Sequence, residues 1–63
     1  MDKKTLEARI RQIIAIDKNA LLVYTDLAKS VDDGELKDLF SKIAKDEERH
    51  VALGAEMLSL VEK

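Results

Sequence analysis

The chain has 63 residues and no cysteine, so it forms one small domain at most and has no disulfide or thiolate metal site to stabilise it. Its formal charge is only −2, which argues against nucleic acid as a partner. Its longest uncharged run, residues 19–25, is far too short to span a membrane, and the N-terminus has no apolar signal core. The expected location is the cytoplasm or the inside of a cytoplasmic protein assembly.

The first predicted element is a long α-helix over about residues 4–30. Apolar residues recur at steps of three and four, proline is absent, and the composition is rich in helix-forming Ala, Leu, Lys and Glu. Such a helix would be about 40 Å long. Its apolar stripe comprises Leu6, Ile10, Ile13, Asp17, Ala20, Tyr24, Leu27 and Val31.

A turn over about residues 31–34 follows, and a second helix over about residues 35–61. The segment from Ser30 to Gly34 is the one cluster of turn-forming residues, and either Asp32 or Asp33 can cap the helix that follows. The stripe of the second helix comprises Leu36, Phe40, Ile43, Glu47, His50, Gly54, Met57 and Val61.

Two helices joined by a short turn predict an all-α fold, an antiparallel two-helix hairpin. Sixty-three residues bury too little apolar surface for comfortable stability in isolation, and both helices carry wide apolar faces. We therefore expect the hairpin to dimerise into a four-helix bundle, as a homodimer or a larger, ring-like oligomer.

Three stripe positions are ionisable, and hairpin geometry brings them together. Asp17 lies 16 residues before Asp33, Glu47 lies 14 after it and His50 lies 17 after it, so the three side chains are level across an antiparallel hairpin. A second chain would add a matching set, which places four carboxylates and two imidazoles in an apolar core. Burying them unpaired costs several kcal/mol each, whereas two divalent cations would balance the charge. Iron or manganese suits this mixture of oxygen and nitrogen ligands, and zinc can also bind.

Structural interpretations compete at each of these positions. Glu47 can pair with an exposed lysine, and His50 can be a core histidine with satisfied hydrogen bonds. Tyr24, two turns after Asp17, either packs in the core with its hydroxyl bonded to a carboxylate or takes part in redox or proton transfer. Gly54 either allows the helices to approach closely or is simply tolerated.

The segments Asp17–Tyr24, Glu35–Phe40 and Lys45–His50 resemble the ferritin-like superfamily, and most of all its two-helix encapsulated ferritins and rubrerythrin-like di-iron proteins. The resemblance implies a four-helix bundle in which each subunit supplies half of a di-iron centre. By position it makes Asp17, Glu47 and His50 the iron ligands, with two ions per dimer, and it places Tyr24 beside them. Asp17 departs from the family pattern, in which a Glu occupies this position.

The function implied by this resemblance is iron binding with ferroxidase activity, the oxidation of ferrous iron by dioxygen. An encapsulin shell is the partner that the resemblance suggests, although no targeting peptide follows the second helix.

One alternative function is that of a non-catalytic dimeric bundle that acts as an interaction or RNA-binding module. A basic or aromatic outer face would favour this alternative, and the sequence shows no such cluster. Another is rubrerythrin-like peroxide reduction, for which the chain lacks a companion cysteine site.

Overall fold

The computed structural model describes residues 1–63 as two α-helices packed against each other, with no strands. Helix α1 spans Lys3–Ser30 and helix α2 spans Gly34–Val61, each of 28 residues, and Val31–Asp33 connect them. The predicted all-α hairpin is confirmed, with helix boundaries within one residue of those expected. Neither helix is long and apolar enough to cross a membrane.

Both helices begin at an aspartate cap. The Asp2 carboxylate accepts a hydrogen bond from the Thr5 backbone N–H at 2.7 Å, and the Asp33 carboxylate accepts one from the Leu36 N–H at 2.9 Å. These bonds satisfy N–H groups that have no partner within the helix. Of the two aspartates that the sequence offered at the turn, Asp33 is therefore the cap, and this determines where α2 begins.

The helices contact each other along the 47 Å length of the hairpin, and three of these contacts differ in kind. At the open end, Arg11 donates a hydrogen bond to the Glu62 carboxylate at 2.9 Å. Nearer the turn, the rings of Tyr24 and Phe40 lie with their centroids 6.2 Å apart. Gly54 is buried against α1, where its missing side chain leaves room for Ile14.

The two helices alone leave many large apolar side chains exposed. Only Ile10 and Gly54 are buried, and the accessible surface of 4883 Å² exceeds the roughly 4,100 Å² expected for a compact monomer of this mass. Large exposed side chains at helical spacing form what we call the open apolar face. It comprises Leu6, Ile13, Ile16, Val23 and Leu27 of α1 and Leu36, Leu39, Leu53, Met57 and Leu60 of α2.

The structure divides the apolar stripe predicted for α1. Ile10, Asp17 and Tyr24 are wholly or partly covered, whereas Leu6 and Ile13 are exposed. Helix α2 lies against the side of α1 that carries Ile10 and Tyr24, and it leaves the side that carries Leu6 and Ile13 open. Covering the open side requires a further partner.

Candidate metal centre

Asp17, Glu47 and His50 meet near the middle of the hairpin. Each offers one ligand atom, and the three atoms lie within 4.8 Å of one another. Glu47 and His50 are one turn apart on α2, with Glu47 Oε1 3.5 Å from His50 Nδ1, and Asp17 reaches them from α1. The register counted from the turn thus predicted this cluster correctly.

The three side chains differ in exposure. The Glu47 side chain is 14% exposed, that of His50 is 45% exposed, and Asp17 is half-buried. The sequence predicted that all three side chains lie in an apolar core. A single hairpin encloses only the Glu47 side chain in this way. His50 precedes Leu53 and Met57 by three and seven residues, so it lies along the open apolar face and remains uncovered with that face.

Glu47 carries an unsatisfied polar atom. Its Oε2 is buried and has no hydrogen-bond partner, and its one ionic neighbour is His50 at 3.5 Å. No lysine pairs with Glu47, so the simple surface ion pair considered for this residue is absent. Leaving a buried polar group unpaired costs about 1–3 kcal/mol, and more for a charged group. A cation bound at this atom would remove that cost.

The donor set fits a divalent metal ion. Two carboxylates and an imidazole suit iron, manganese or zinc. Ligands about 2.1 Å from an ion and at right angles to each other stand about 3 Å apart. The 3.5 Å between the Glu47 and His50 atoms is close to this value, whereas the span of up to 4.8 Å across the whole cluster is wider. Small side-chain movements would therefore close three ligands around one ion.

Tyr24 lies on the same stripe as Asp17 but does not bond to the cluster. Its ring is tilted 35° against that of Phe40, and its hydroxyl makes no hydrogen bond within the chain. The expected bond from this hydroxyl to a carboxylate is thus absent. The place of Tyr24 beside bound metal ions remains a prediction.

A row of basic side chains lies on the outside of the hairpin, where the sequence had indicated no basic cluster. Arg11 and Lys18 line one groove between the helices, and Lys29 and Lys37 line a second groove nearer the turn. A signal for part of this row was available, because Arg11 and Lys18 are seven residues apart and share a face of α1.

Comparison of the chain with protein-family models, with curated proteins and with solved structures found no match.

Proposed function

We propose that this chain is an iron-binding, ferritin-like protein that pairs with a second copy and oxidises ferrous iron with dioxygen at a di-iron centre between the two subunits. The observation that carries the proposal is the convergence of Asp17, Glu47 and His50, with a buried Glu47 oxygen that has no partner. The proposal has two parts, a metal centre and a dimer, and separate features support each.

The metal centre is supported by charge and ligand chemistry. Each chain contributes two carboxylates and one imidazole, so two chains contribute four negative charges, which balance two ferrous ions. Glu47 has a second oxygen, Oε2, that no group of its own chain uses. Asp17, Glu47 and His50 would together hold the ion, and the Glu47 carboxylate would gain in the ion the partner that its Oε2 lacks.

The dimer is supported by the open apolar face and its area. The hairpin exposes about 800 Å² more surface than a compact monomer of its mass, and each partner in a protein interface of standard size buries about 800 Å². His50 lies along that face, so a second hairpin packed there would bury His50 and bring a second set of ligands to the same level. The metal centre is thus incomplete without the partner copy.

Bound ferrous iron would supply the electrons that reduce dioxygen. The protein side chains have other tasks: Asp17 and Glu47 neutralise the ions, and His50 orients them by a neutral nitrogen ligand. The open apolar face, once covered, keeps bulk water from the site. Tyr24, whose hydroxyl makes no hydrogen bond within the chain, is the candidate for proton or electron transfer on the side of the turn.

The test is an anaerobic titration with Fe²⁺, followed by addition of dioxygen and measurement of ferric absorbance. We expect the wild type to bind one Fe²⁺ per chain and to oxidise it. Glu47→Ala should lose both properties, because it removes the two oxygens at the centre of the cluster. Glu48→Ala is the matched control, since it deletes an adjacent exposed carboxylate, and it should behave as the wild type.

The same experiment separates the alternatives. Binding without oxidation would reduce the function to iron binding. Failure of the wild type to bind Fe²⁺, together with no metal in protein purified without chelator, would leave a non-catalytic helical module. Faster oxidation with hydrogen peroxide than with dioxygen would favour peroxide reduction. Association with an encapsulin shell and assembly into rings remain predictions.

A further inference from the structure

The side of the hairpin away from the open apolar face carries two grooves between α1 and α2. The larger, about 520 Å³, is lined in part by the apolar residues Ile14, Val51 and Leu58 and by the small residues Ala15, Ala55 and Ser59. The smaller, about 300 Å³, lies nearer the turn and is lined in part by Thr25, Ala28, Ser41 and Ala44. We call the two together the outer groove.

Small side chains make the outer groove suitable for a third helix. The distance between packed helices depends on the side chains at the contact, and it is shortest where these are small. The groove residues extend along α1 from Arg11 to Lys29, a distance of about 27 Å at 1.5 Å per residue. A helix of about 18 residues would therefore match its length.

The charges along the outer groove are mainly positive. Arg11, Lys18, Lys29 and Lys37 line it, and Glu62 is the one acidic residue that lines it. Glu48 lies on the same side of α2, between the two grooves. Arg11 is paired with Glu62, while the three lysines take part in no salt bridge. This concentration of positive charge stands out in a chain whose formal charge is −2. It would attract a negatively charged partner and repel a positively charged one.

We propose that the outer groove binds an acidic amphipathic helix of a partner protein. The apolar and small residues of the groove would receive the apolar face of that helix, and Lys18, Lys29 and Lys37 would pair with its carboxylates. A second copy of this chain fits poorly in the same place, because its own outer groove presents the same lysines. Single-stranded nucleic acid also fits poorly, since the groove contains no aromatic side chain on which bases could stack.

This surface is separate from the proposed metal centre and dimer interface. A dimer formed through the open apolar face would leave both outer grooves free, one on each side of the bundle. The inference therefore does not rest on the proposed function, and the two can fail independently.

The test uses a fluorescent synthetic helix of about 18 residues with Leu and Ala along one face and Glu beside them, titrated with the full chain. We expect saturable binding that weakens as salt is added. The double variant Lys18→Glu/Lys29→Glu should weaken binding by at least about tenfold, because it reverses the charge along the groove. Lys42→Glu/Lys45→Glu is the matched control, with the same charge change outside the groove, and it should bind as the wild type.

Two results would overturn the inference. The first is no binding of the acidic helix, and binding of oligouridylate in its place would make the groove a nucleic-acid site. The second is equal binding of the helix by the wild type and by Lys18→Glu/Lys29→Glu. Ala55→Leu provides a variant that keeps every charge: residue 55 is exposed and lines the groove, so a larger side chain should obstruct the helix without unfolding the hairpin. Circular dichroism melting of each variant verifies that it is folded.

Discussion

Gly54 of α2 and Ile14 of α1 are packed so closely that no side chain fits between them. A methyl group placed on Gly54 would lie 2.6 Å from Ile14 Cγ1, well inside the optimal carbon–carbon separation of about 3.5–4.0 Å. Because Ile14 is branched at its β-carbon, the contacted atom cannot easily swing away. The two helices are therefore in close contact one turn from His50, which limits how far apart they can lie beside the candidate metal centre.

Gly54→Ala should destabilise the hairpin. Overpacking typically costs about 1–3 kcal/mol, partly offset by about 1 kcal/mol from the better helix propensity of alanine. We expect a net loss of up to about 2 kcal/mol in the free energy of unfolding, measured by urea unfolding. Gly34→Ala is the control, since nothing lies within 4 Å of a methyl group there, and it should be neutral or stabilising by up to about 1 kcal/mol. Equal effects of the two substitutions would contradict the close contact.

Iron should raise the melting temperature of the protein, because it binds the folded state and not the unfolded chain. At a hundredfold excess over the dissociation constant, a ligand adds about 2.7 kcal/mol, which for a chain of this size is about 10–20 °C. Glu47→Ala should abolish the shift, and without metal it should be at least as stable as the wild type because it removes a buried unpaired carboxylate. Glu48→Ala should keep the shift. If Glu47→Ala and the wild type respond alike to Fe²⁺, Glu47 is not a ligand.

Asp17→Glu should strengthen iron binding. The three ligand atoms span up to 4.8 Å, wider than the roughly 3 Å between neighbouring ligands of one ion, and glutamate extends the carboxylate by about 1.5 Å. Asp17→Ala should weaken iron binding at least about tenfold. Loss of a group that only orients a metal ligand already lowers metal affinity by about this factor, so loss of a ligand should cost at least as much. Anaerobic Fe²⁺ titration measures both, with Asp26→Glu as the exposed control on the same helix. Weaker binding by Asp17→Glu would instead indicate that the helices already hold Asp17 at the correct distance.

Dimerisation can be tested at two neighbouring residues of α1 whose side chains point about 100° apart around the helix axis. Val23 is 48% exposed and belongs to the open apolar face, whereas Leu22 is 70% exposed and lies away from it. Val23→Glu places a charge in the proposed interface and should dissociate or unfold the protein, while Leu22→Glu should leave the dimer intact. Sedimentation velocity at micromolar concentration distinguishes these states. A stable, folded 7.1 kDa wild-type monomer would refute the dimer and with it the intersubunit centre.

The cap of α1 should make a pH-dependent contribution to stability. The hydrogen bonds that Asp2 accepts from Thr5, chiefly from its backbone N–H, lower the pKa of the carboxyl below its ordinary value of 3.8. Because the folded pKa is the lower one, the stabilisation is complete above pH 3.8 and is lost as the pH falls through the folded pKa. Asp2→Asn retains a capping oxygen that does not titrate.

Urea unfolding of the wild type and of Asp2→Asn from pH 2 to pH 6 tests the Asp2 cap. The wild type should lose stability relative to Asp2→Asn as the pH falls below about 3.8. A constant difference in the free energy of unfolding across this range would show that the Asp2 carboxylate does not act as the cap in solution.

Sequence alone determined the helices, the turn and the height at which the polar side chains meet. These features depend on local chemistry: the aspartate at Asp33 satisfies the first N–H groups of α2, and the rise per residue then fixes which positions are level. The convergence of Asp17, Glu47 and His50 could be predicted from the sequence, because an antiparallel hairpin with a short turn permits only a narrow range of registers.

Only the tertiary structure decided which side of each apolar stripe is covered. Ile10 and Ile13 both belong to the apolar stripe that the three-and-four periodicity defines, yet Ile10 is buried against α2 and Ile13 is exposed. A neighbouring helix covers one side of the stripe, and the sequence pattern does not specify which side. The position of α1 also explains why Glu47 and His50 differ in exposure. The Glu47 side chain faces α1 and is almost enclosed, whereas His50 remains on the open apolar face. The same position of α1 determines that Gly54 meets Ile14 rather than solvent.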